Sequence, residues 1–248
     1  MWIIRSRRPA KEYMKAEYRV IIEGQSHSVV VSDETEALLA AEAAGKASVG
    51  LWHRNQEQDL SMTGYVVESE RALTQEYLER VVRRKLGLPW RIAETERLFI
   101  REFQMGDEKR IPQEPEDREG DRVFYTPQLL KEYIRCQYGF FEYGIWALVE
   151  RQSKAIIGKA GVSQSLEAAD GLELGYHIFR PYRRKGYGRE ACAAVLRWCR
   201  DETEGPVYTK IDASNEASIR LAESLGFRLI NRRYSESGPI YDLYEWSC

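Results

Sequence analysis

The stretch Tyr176-His177-Ile178-Phe179-Arg180-Pro181-Tyr182-Arg183-Arg184-Lys185-Gly186-Tyr187-Gly188-Arg189 reads as the end of a strand, a tight basic loop and the start of a helix. Residues 172–179 are apolar and aromatic-rich with a single acid, Glu173, which suits a buried strand. Pro181 lacks the N–H that a strand ladder needs and ends it. Beyond the loop, Ala191, Ala194, Val195, Trp198 and Cys199 recur at helical spacing and form one apolar face. A helix beginning near Gly186 or Tyr187 aims its first backbone N–H groups back into the loop. Gly186 and Gly188 carry no Cβ, so a ligand can approach that backbone closely. Arg183, Arg184, Lys185 and Arg189 add positive charge at the positive end of the helix dipole. Such a terminus takes a phosphate or diphosphate. The same residues also describe a surface turn with a solvated basic cluster, and the flanking sequence has to separate the two.

The chain of 248 residues suits one large domain or two small ones. Its 37 Lys and Arg against 39 Asp and Glu leave a net charge of −2. A nucleic-acid module working through arginine clusters is disfavoured by that balance. The opening Met1-Trp2-Ile3-Ile4-Arg5 is too short for a signal peptide, and no apolar run is long enough for a bilayer. A cytoplasmic protein is expected. Cys136, Cys192, Cys199 and Cys248 lack metal-ligand spacing, and only three histidines accompany them. Cys192 and Cys199 lie roughly 10 Å apart along a helix, too far for a disulfide. Reduced structural thiols and no metal are expected.

In chain order, residues 18–31 alternate as paired strands turning at Glu23-Gly24-Gln25-Ser26. Ser32 or Asp33 then caps a helix through Ala44, stopped by Gly45. Short strands at 47–52 and 64–67 precede an amphipathic helix bearing Leu73, Tyr77, Leu78, Val81, Val82 and Leu86. The run Val31-Ser32-Asp33-Glu34-Thr35-Glu36-Ala37-Leu38-Leu39-Ala40-Ala41-Glu42-Ala43-Ala44-Gly45-Lys46-Ala47 resembles the later half of a haloacid dehalogenase-type domain. That family's nucleophilic Asp-x-Asp segment does not stand upstream, so phosphatase chemistry is not supported. Residues 1–91 are read as a small, non-catalytic αβ module, followed by a second domain over 92–248. The second opens on Glu94-Thr95-Glu96-Arg97-Leu98-Phe99-Ile100-Arg101-Glu102-Phe103, which alternates as one strand. Residues 104–122 are polar with acidic runs and read as a solvated, mobile loop. Helical spacing returns from Pro127 through Cys136. Strands follow at 144–150 and 155–162, and another at 207–213 beyond the loop and its helix. Ser214 or Asn215 caps the next helix, and strands at 227–234 and 240–246 pair across Ser235-Glu236-Ser237-Gly238-Pro239. The fold is α/β (α+β), a mixed sheet with helices on its faces.

Leu174-Gly175-Tyr176-His177-Ile178-Phe179-Arg180-Pro181, followed by Arg183-x-x-Gly186-x-Gly188, resembles the acetyl-CoA-binding signature of the GNAT acyltransferases. The run Asn215-x-x-Ser218-Ile219-x-Leu221-x-Glu223-x-Leu225-Gly226-Phe227 resembles their second landmark. Glu94-Thr95-Glu96-Arg97-Leu98 is similar to the opening of the ribosomal-protein alanine N-acetyltransferase branch. The resemblance spans about 155 residues, and its three landmarks stand in family order. It implies a mostly antiparallel central sheet flanked by helices, with acetyl-CoA between two splayed strands. Ile178 and Phe179 would pair with the pantetheine, and Asn215 would hold it from the other side. The loop of Arg183, Arg184, Lys185, Gly186, Tyr187, Gly188 and Arg189 would hold the diphosphate. On this reading Gly188→Trp fills the diphosphate cradle and leaves the fold intact.

The implied chemistry is attack of an amine on the thioester. Glu173 is the candidate base, acting through a water; a strand-end ion pair is its other role, and His177 is a second candidate base. Many relatives carry a tyrosine acid where this chain has Ala222. Ser218, matching a serine of the alanine branch, is the candidate acid, with helix capping as its alternative role. The acceptor is expected to be a primary amine: a protein N-terminus, a small amine or a polyamine. Acids in residues 107–121 suit a cation but equally describe a solvated loop. No nucleic-acid or membrane partner is expected, and the assembly is a monomer or homodimer. A non-catalytic acyl-CoA sensor is the alternative to an enzyme.

Overall fold

The computed structural model describes residues 15–53, 58–114, 119–167, 171–233 and 241–247. The chain divides into two compact units, Met1–Trp90 and Arg91–Cys248.

In the first unit, β1 (Lys15–Ile22) and β2 (Gln25–Ser32) form an antiparallel hairpin. Glu23 and Gly24 both adopt positive φ at its turn, the twist that a two-residue hairpin favours. The helix α1 (Thr35–Ala43) leads to β3 (Ala47–Leu51), and β4 (Val66–Val67) completes a sheet of order β1-β2-β3-β4. β3 is buried at every position, as a parallel strand covered on both faces must be. The helix α2 (Gln75–Lys85) is capped by Thr74 and inserts Leu78, Val81 and Val82 among Val20, Val29 and Val49. Neither Ser32 nor Asp33 occupies the N-cap of α1. Glu34 does, and the Ser32 hydroxyl accepts from the Glu34 N–H at 3.1 Å instead.

In the second unit the segment expected as one strand is two. β5 (Arg91–Glu94) and β6 (Leu98–Arg101) pair antiparallel around a turn at residues 95–97. Residues 104–122 also depart from a solvated loop. Asp107 is fully buried and accepts from Arg101 Nη1 and Nη2, at 2.7 and 3.0 Å. The helix α3 (Pro127–Tyr133) does not end near Cys136 but continues as a π-helical segment, Ile134–Phe141. Tyr138 anchors that segment: it is fully buried, donates to the Ile145 carbonyl and accepts from the Phe103 N–H.

β7 (Ile145–Glu150), β8 (Ile156–Gln164) and β9 (Leu172–Ile178) follow, and then α4 (Tyr187–Glu202). β10 (Val207–Asp212), α5 (Glu216–Ser224), β11 (Arg228–Arg233) and β12 (Tyr241–Trp246) close the unit. The sheet order is β11-β12-β10-β9-β8-β7-β6-β5, antiparallel throughout except between β9 and β10. Ala191, Ala194, Val195 and Cys199 carry α4 onto the sheet, and Trp198 meets Trp146 edge-on at 4.9 Å. The turn expected at 235–239 lies outside the described residues, as does Cys248. Cys136, Cys192 and Cys199 form no disulfide. Among the described residues, no helix is long and apolar enough to cross a membrane.

Candidate active site

The parallel strand pair of the second unit frames the candidate site. β9 and β10 are paired only at Leu172 with Val207 and Glu173 with Tyr208. Beyond that point β9 stays with β8 as far as Ile178, and β10 stays with β12 as far as Asp212. A gap therefore opens along the strands, with Glu173 at its closed end and Ile178 toward its mouth. At about 3.3 Å per residue these two stand roughly 16 Å apart. The backbone groups of a strand alternate sides. Leu172 donates toward β10, to Pro206, and Phe179 donates toward β8, to Ile157, each at 3.0 Å. By that alternation Tyr176 and Ile178 turn their N–H and C=O groups toward the gap, although the Ile178 carbonyl is already taken by Arg183 Nε. Phe179 does not: its N–H is held by β8, its carbonyl accepts from Tyr182, and its ring is fully buried.

The mouth of the gap meets the N-terminus of α4. Gly186 is the N-cap with φ +83°, and Arg184 is left-handed too, at φ +63°. A non-glycine residue in that region stores on the order of 1–3 kcal/mol of strain. The first helical bond runs from Glu190 N–H to Gly186 O, at 3.1 Å. Among the described residues, no backbone carbonyl accepts from the N–H groups between Arg184 and Arg189. These donors, with exposed Arg184 and Arg189 beside them, fit an anion such as a diphosphate. The other two expected cations are already engaged. Arg183 donates Nε to the Ile178 carbonyl and Nη2 to Glu114, and Lys185 donates to the Pro181 carbonyl.

A clamp holds this terminus. Glu190 on α4 accepts from the Thr95 hydroxyl at 2.6 Å, the Arg97 N–H at 2.9 Å and Arg97 Nε at 2.7 Å. The same guanidinium donates to the Lys185 carbonyl and lies over the Tyr187 ring. Burial opposes the charge of Glu190, but these hydrogen bonds outweigh it and hold the carboxyl below its ordinary value.

Gly188 is placed differently from expectation. A Cβ there would stand 3.2 Å from Leu221 Cδ1, 3.6 Å from Ile178 Cγ1 and 3.7 Å from Tyr176 Cε2. Its missing side chain lets α4 close on β9 and α5, while its N–H stays among the free donors of the helix start. Asn215 caps α5 by accepting from the Ser218 N–H at 3.1 Å. Ser218 is therefore not the cap. Its hydroxyl instead accepts from the Tyr176 phenol at 2.9 Å, across the gap. At the closed end, Glu173 is ion-paired with Lys210 at 3.1 Å, and Lys210 also reaches Glu167 at 3.4 Å.

On the face of β9 shared with Glu173 and opposite Tyr176, His177 Nε2 lies 2.8 Å from a nearly buried Glu114, which also accepts from the Arg180 N–H. Lys159, buried on β8 opposite His177, pairs with Asp121 at 2.7 Å. Asp107, Glu114 and Asp121 are thus joined to partners inside the unit, and do not form a free acidic surface. Among the described residues, no group of His, Cys, Asp or Glu is gathered to hold a metal. Sequence reasoning did not find the Arg97–Glu190 clamp, Glu114, Lys210 or the role of Tyr176. The signal for the clamp was present, since Thr95, Arg97 and Glu190 all stood in quoted or adjacent motifs.

A splayed parallel pair with an anion cradle at its mouth fits a phosphate-bearing cosubstrate. The family model described as "Acetyltransferase (GNAT) domain" matches residues 89–228, more than half of the chain, and the chain belongs to that family. GNAT acetyltransferases use acetyl-CoA as cosubstrate. The chain is 30% identical over 106 residues to YkkB of Bacillus subtilis (strain 168), covering 40% of this chain and 62% of YkkB. It is 27% identical over 92 residues to the uncharacterized N-acetyltransferase YjdG of the same strain, covering 37% of this chain and 54% of YjdG. The matches thus span less than two thirds of either relative. A putative GNAT-family acetyltransferase structure from Bordetella pertussis superposes with a TM-score of 0.53 at 22% identity, covering 62% of this chain and 98% of that one. That likeness concerns the fold.

Proposed function

We propose that this chain is a cytoplasmic, acetyl-CoA-dependent N-acetyltransferase that acetylates a primary amine, with residues 1–91 as an accessory, non-catalytic module. The observation that carries this reading is the gap between β9 and β10, running from free N–H donors at the start of α4 to Glu173 at its closed end. The cosubstrate supplies an acetyl group activated as a thioester. The backbone from Arg184 to Arg189, with the Arg184 and Arg189 side chains, binds the diphosphate. Ile178 and Tyr176 offer strand hydrogen bonds to the pantetheine, and Asn215 borders it from α5. Arg183, Lys185 and Phe179 shape the loop through the protein contacts already described.

Glu173 takes the acceptor's proton through a water, and Lys210 fixes its carboxylate. Ser218 faces the gap and serves the leaving sulfur in place of the tyrosine absent at Ala222. The acceptor is an amine because the relative YjdG is named an N-acetyltransferase. A protein N-terminus, a small amine or a polyamine each remains within the proposal. The engagement of Asp107, Glu114 and Asp121 inside the unit weakens the reason to favour a polycation.

The test is a thermal-shift titration with acetyl-CoA, CoA and ATP, followed by thiol release against a panel of amines and N-terminal peptides. A ligand at about a hundredfold its Kd adds on the order of 2.7 kcal/mol. Shifts with both CoA species but not ATP, and amine-dependent thiol release, are expected. Binding without release with any amine favours a silent acyl-CoA sensor. No shift with any ligand overturns the site.

A further inference from the structure

Tyr176 sits on β9 where the strand faces the gap, two residues before Ile178 and three after Glu173. Its phenol meets Ser218, one turn before Leu221 on α5, at 2.9 Å. Both hydroxyls can donate or accept. The phenol is the more acidic and the serine oxygen the better acceptor, so Tyr176 donates. Burial is the main reason that the Tyr176 phenol titrates above its ordinary value, which keeps its proton in place. Among the described residues the Ser218 hydroxyl has the Tyr176 phenol as its partner and no carbonyl of the preceding turn, the usual acceptor for a helical serine. Its N–H is held by Asn215, which fixes the residue on α5.

We infer that Tyr176 is a positioning residue for acetyl transfer: by donating to Ser218 Oγ it turns the serine O–H into the gap, toward the sulfur on which charge develops. The inference rests on the acetyl-CoA site proposed above. In the step it serves, the amine nitrogen forms the C–N bond and the C–S bond breaks with its electron pair passing to sulfur. The Ser218 O–H donates a hydrogen bond to that sulfur. Of the two protons that the acceptor ammonium loses, one ends on the sulfur by way of solvent and the other goes to bulk water. Neither hydroxyl gives up its proton. Tyr176 thus answers for the phenol missing at Ala222 from the opposite wall of the gap.

The test needs no acceptor. The thiol of CoA bound to the full chain is titrated by its ultraviolet thiolate absorbance, with desulfo-CoA as blank, in the unaltered protein and in Y176F, S218A and S218T. Hydrogen bonds to charged groups are strong enough to move such a thiol by about one pKa unit. The bound thiol is expected to titrate about one unit below free CoA in the unaltered chain and in S218T. S218A should return it to the free value, and Y176F should return about half of the shift at an unchanged melting midpoint. A Y176F thiol identical to the unaltered one, with S218A shifted, overturns the role of Tyr176 and leaves the site standing. An unmoved thiol in S218A overturns the role of Ser218 as well. No thermal shift with CoA in the unaltered chain removes the site itself, a different failure that also removes this inference.

Discussion

Arg97 and Glu190 join the turn between β5 and β6 to the first turn of α4 through two bonds, at 2.9 Å from the Arg97 N–H and 2.7 Å from its Nε. The pair fixes the anion cradle from outside, because the same guanidinium also holds the Lys185 carbonyl. Charge-assisted bonds of this kind contribute roughly 1.5–3 kcal/mol. We predict that E190Q lowers stability by about 2 kcal/mol in urea unfolding and weakens CoA binding. The carboxyl of Glu190 titrates below its ordinary value of 4.5 in the folded chain. Its contribution is therefore complete above that value and disappears as pH falls through the lower folded one. Unfolding curves of the two proteins should converge in acid. A constant difference down to the most acidic conditions tested would contradict the assignment.

Gly188 permits close approach of helices, so its substitution acts on packing first. In G188A the new methyl lies 3.2 Å from Leu221 Cδ1, and Leu221 must move by a few tenths of an ångström. A modest loss of stability, about 1 kcal/mol, is expected together with weaker CoA binding. G188W should fail to melt cooperatively. Normal melting of G188W with abolished CoA binding would restore the simpler picture, in which the side chain merely fills the cradle.

The contrast between these residues shows what the sequence made legible. Apolar spacing and punctuation located β9, α4, β10 and α5, with Pro181, Gly186, Asn215 and Gly226 marking the breaks around them. The cap of α5 was readable as Ser214 or Asn215, and it is Asn215. The parting of β9 from β10 came from family resemblance, since no local pattern encodes where two strands cease to pair. Glu114 and Asp121 looked like solvated acids because their partners, His177, Arg183 and Lys159, lie far along the chain. The alternation of 94–103 continued across the turn at 95–97, which hid β5. The π-helical segment 134–141 was invisible, as its side chains do not follow the 3.6-residue repeat used to detect helices.

Glu114 fastens the segment before it to β9. Its carboxylate is 6% exposed and binds His177, Arg183 and the Arg180 N–H together. E114A should cost about 2–3 kcal/mol, less than a fully buried pair, because Arg183 can turn toward water. Limited proteolysis offers a local readout. Cleavage within residues 104–114 should accelerate in E114A and stay slow in the unaltered protein. Equal cleavage rates would mean that Asp107 and its arginines hold the segment without Glu114.

Glu173 stands where its two possible roles make opposite demands on one measurement. Burial works against the charge on Lys210, but Glu173 and Glu167 outweigh it and raise the lysine above its ordinary value of 10.5. The stabilisation from that pairing is complete below 10.5 and is lost as pH rises through the higher folded value. A strut predicts that E173Q loses stability from neutral pH up to that range, with acetyl transfer per folded molecule unchanged. A base predicts a fall in turnover of about 10²–10⁴-fold at unchanged CoA affinity. We expect the fall in turnover, measured with the amine identified by thiol release, and only a small loss of stability. The small loss follows because Lys210 keeps Glu167 as a partner and is itself partly exposed. K210A separates the effects further: it removes the pairing but leaves the carboxylate, so its turnover should fall much less than that of E173Q. If K210A and E173Q lost activity equally, the ion pair would be what matters, and the base would have to be sought at His177.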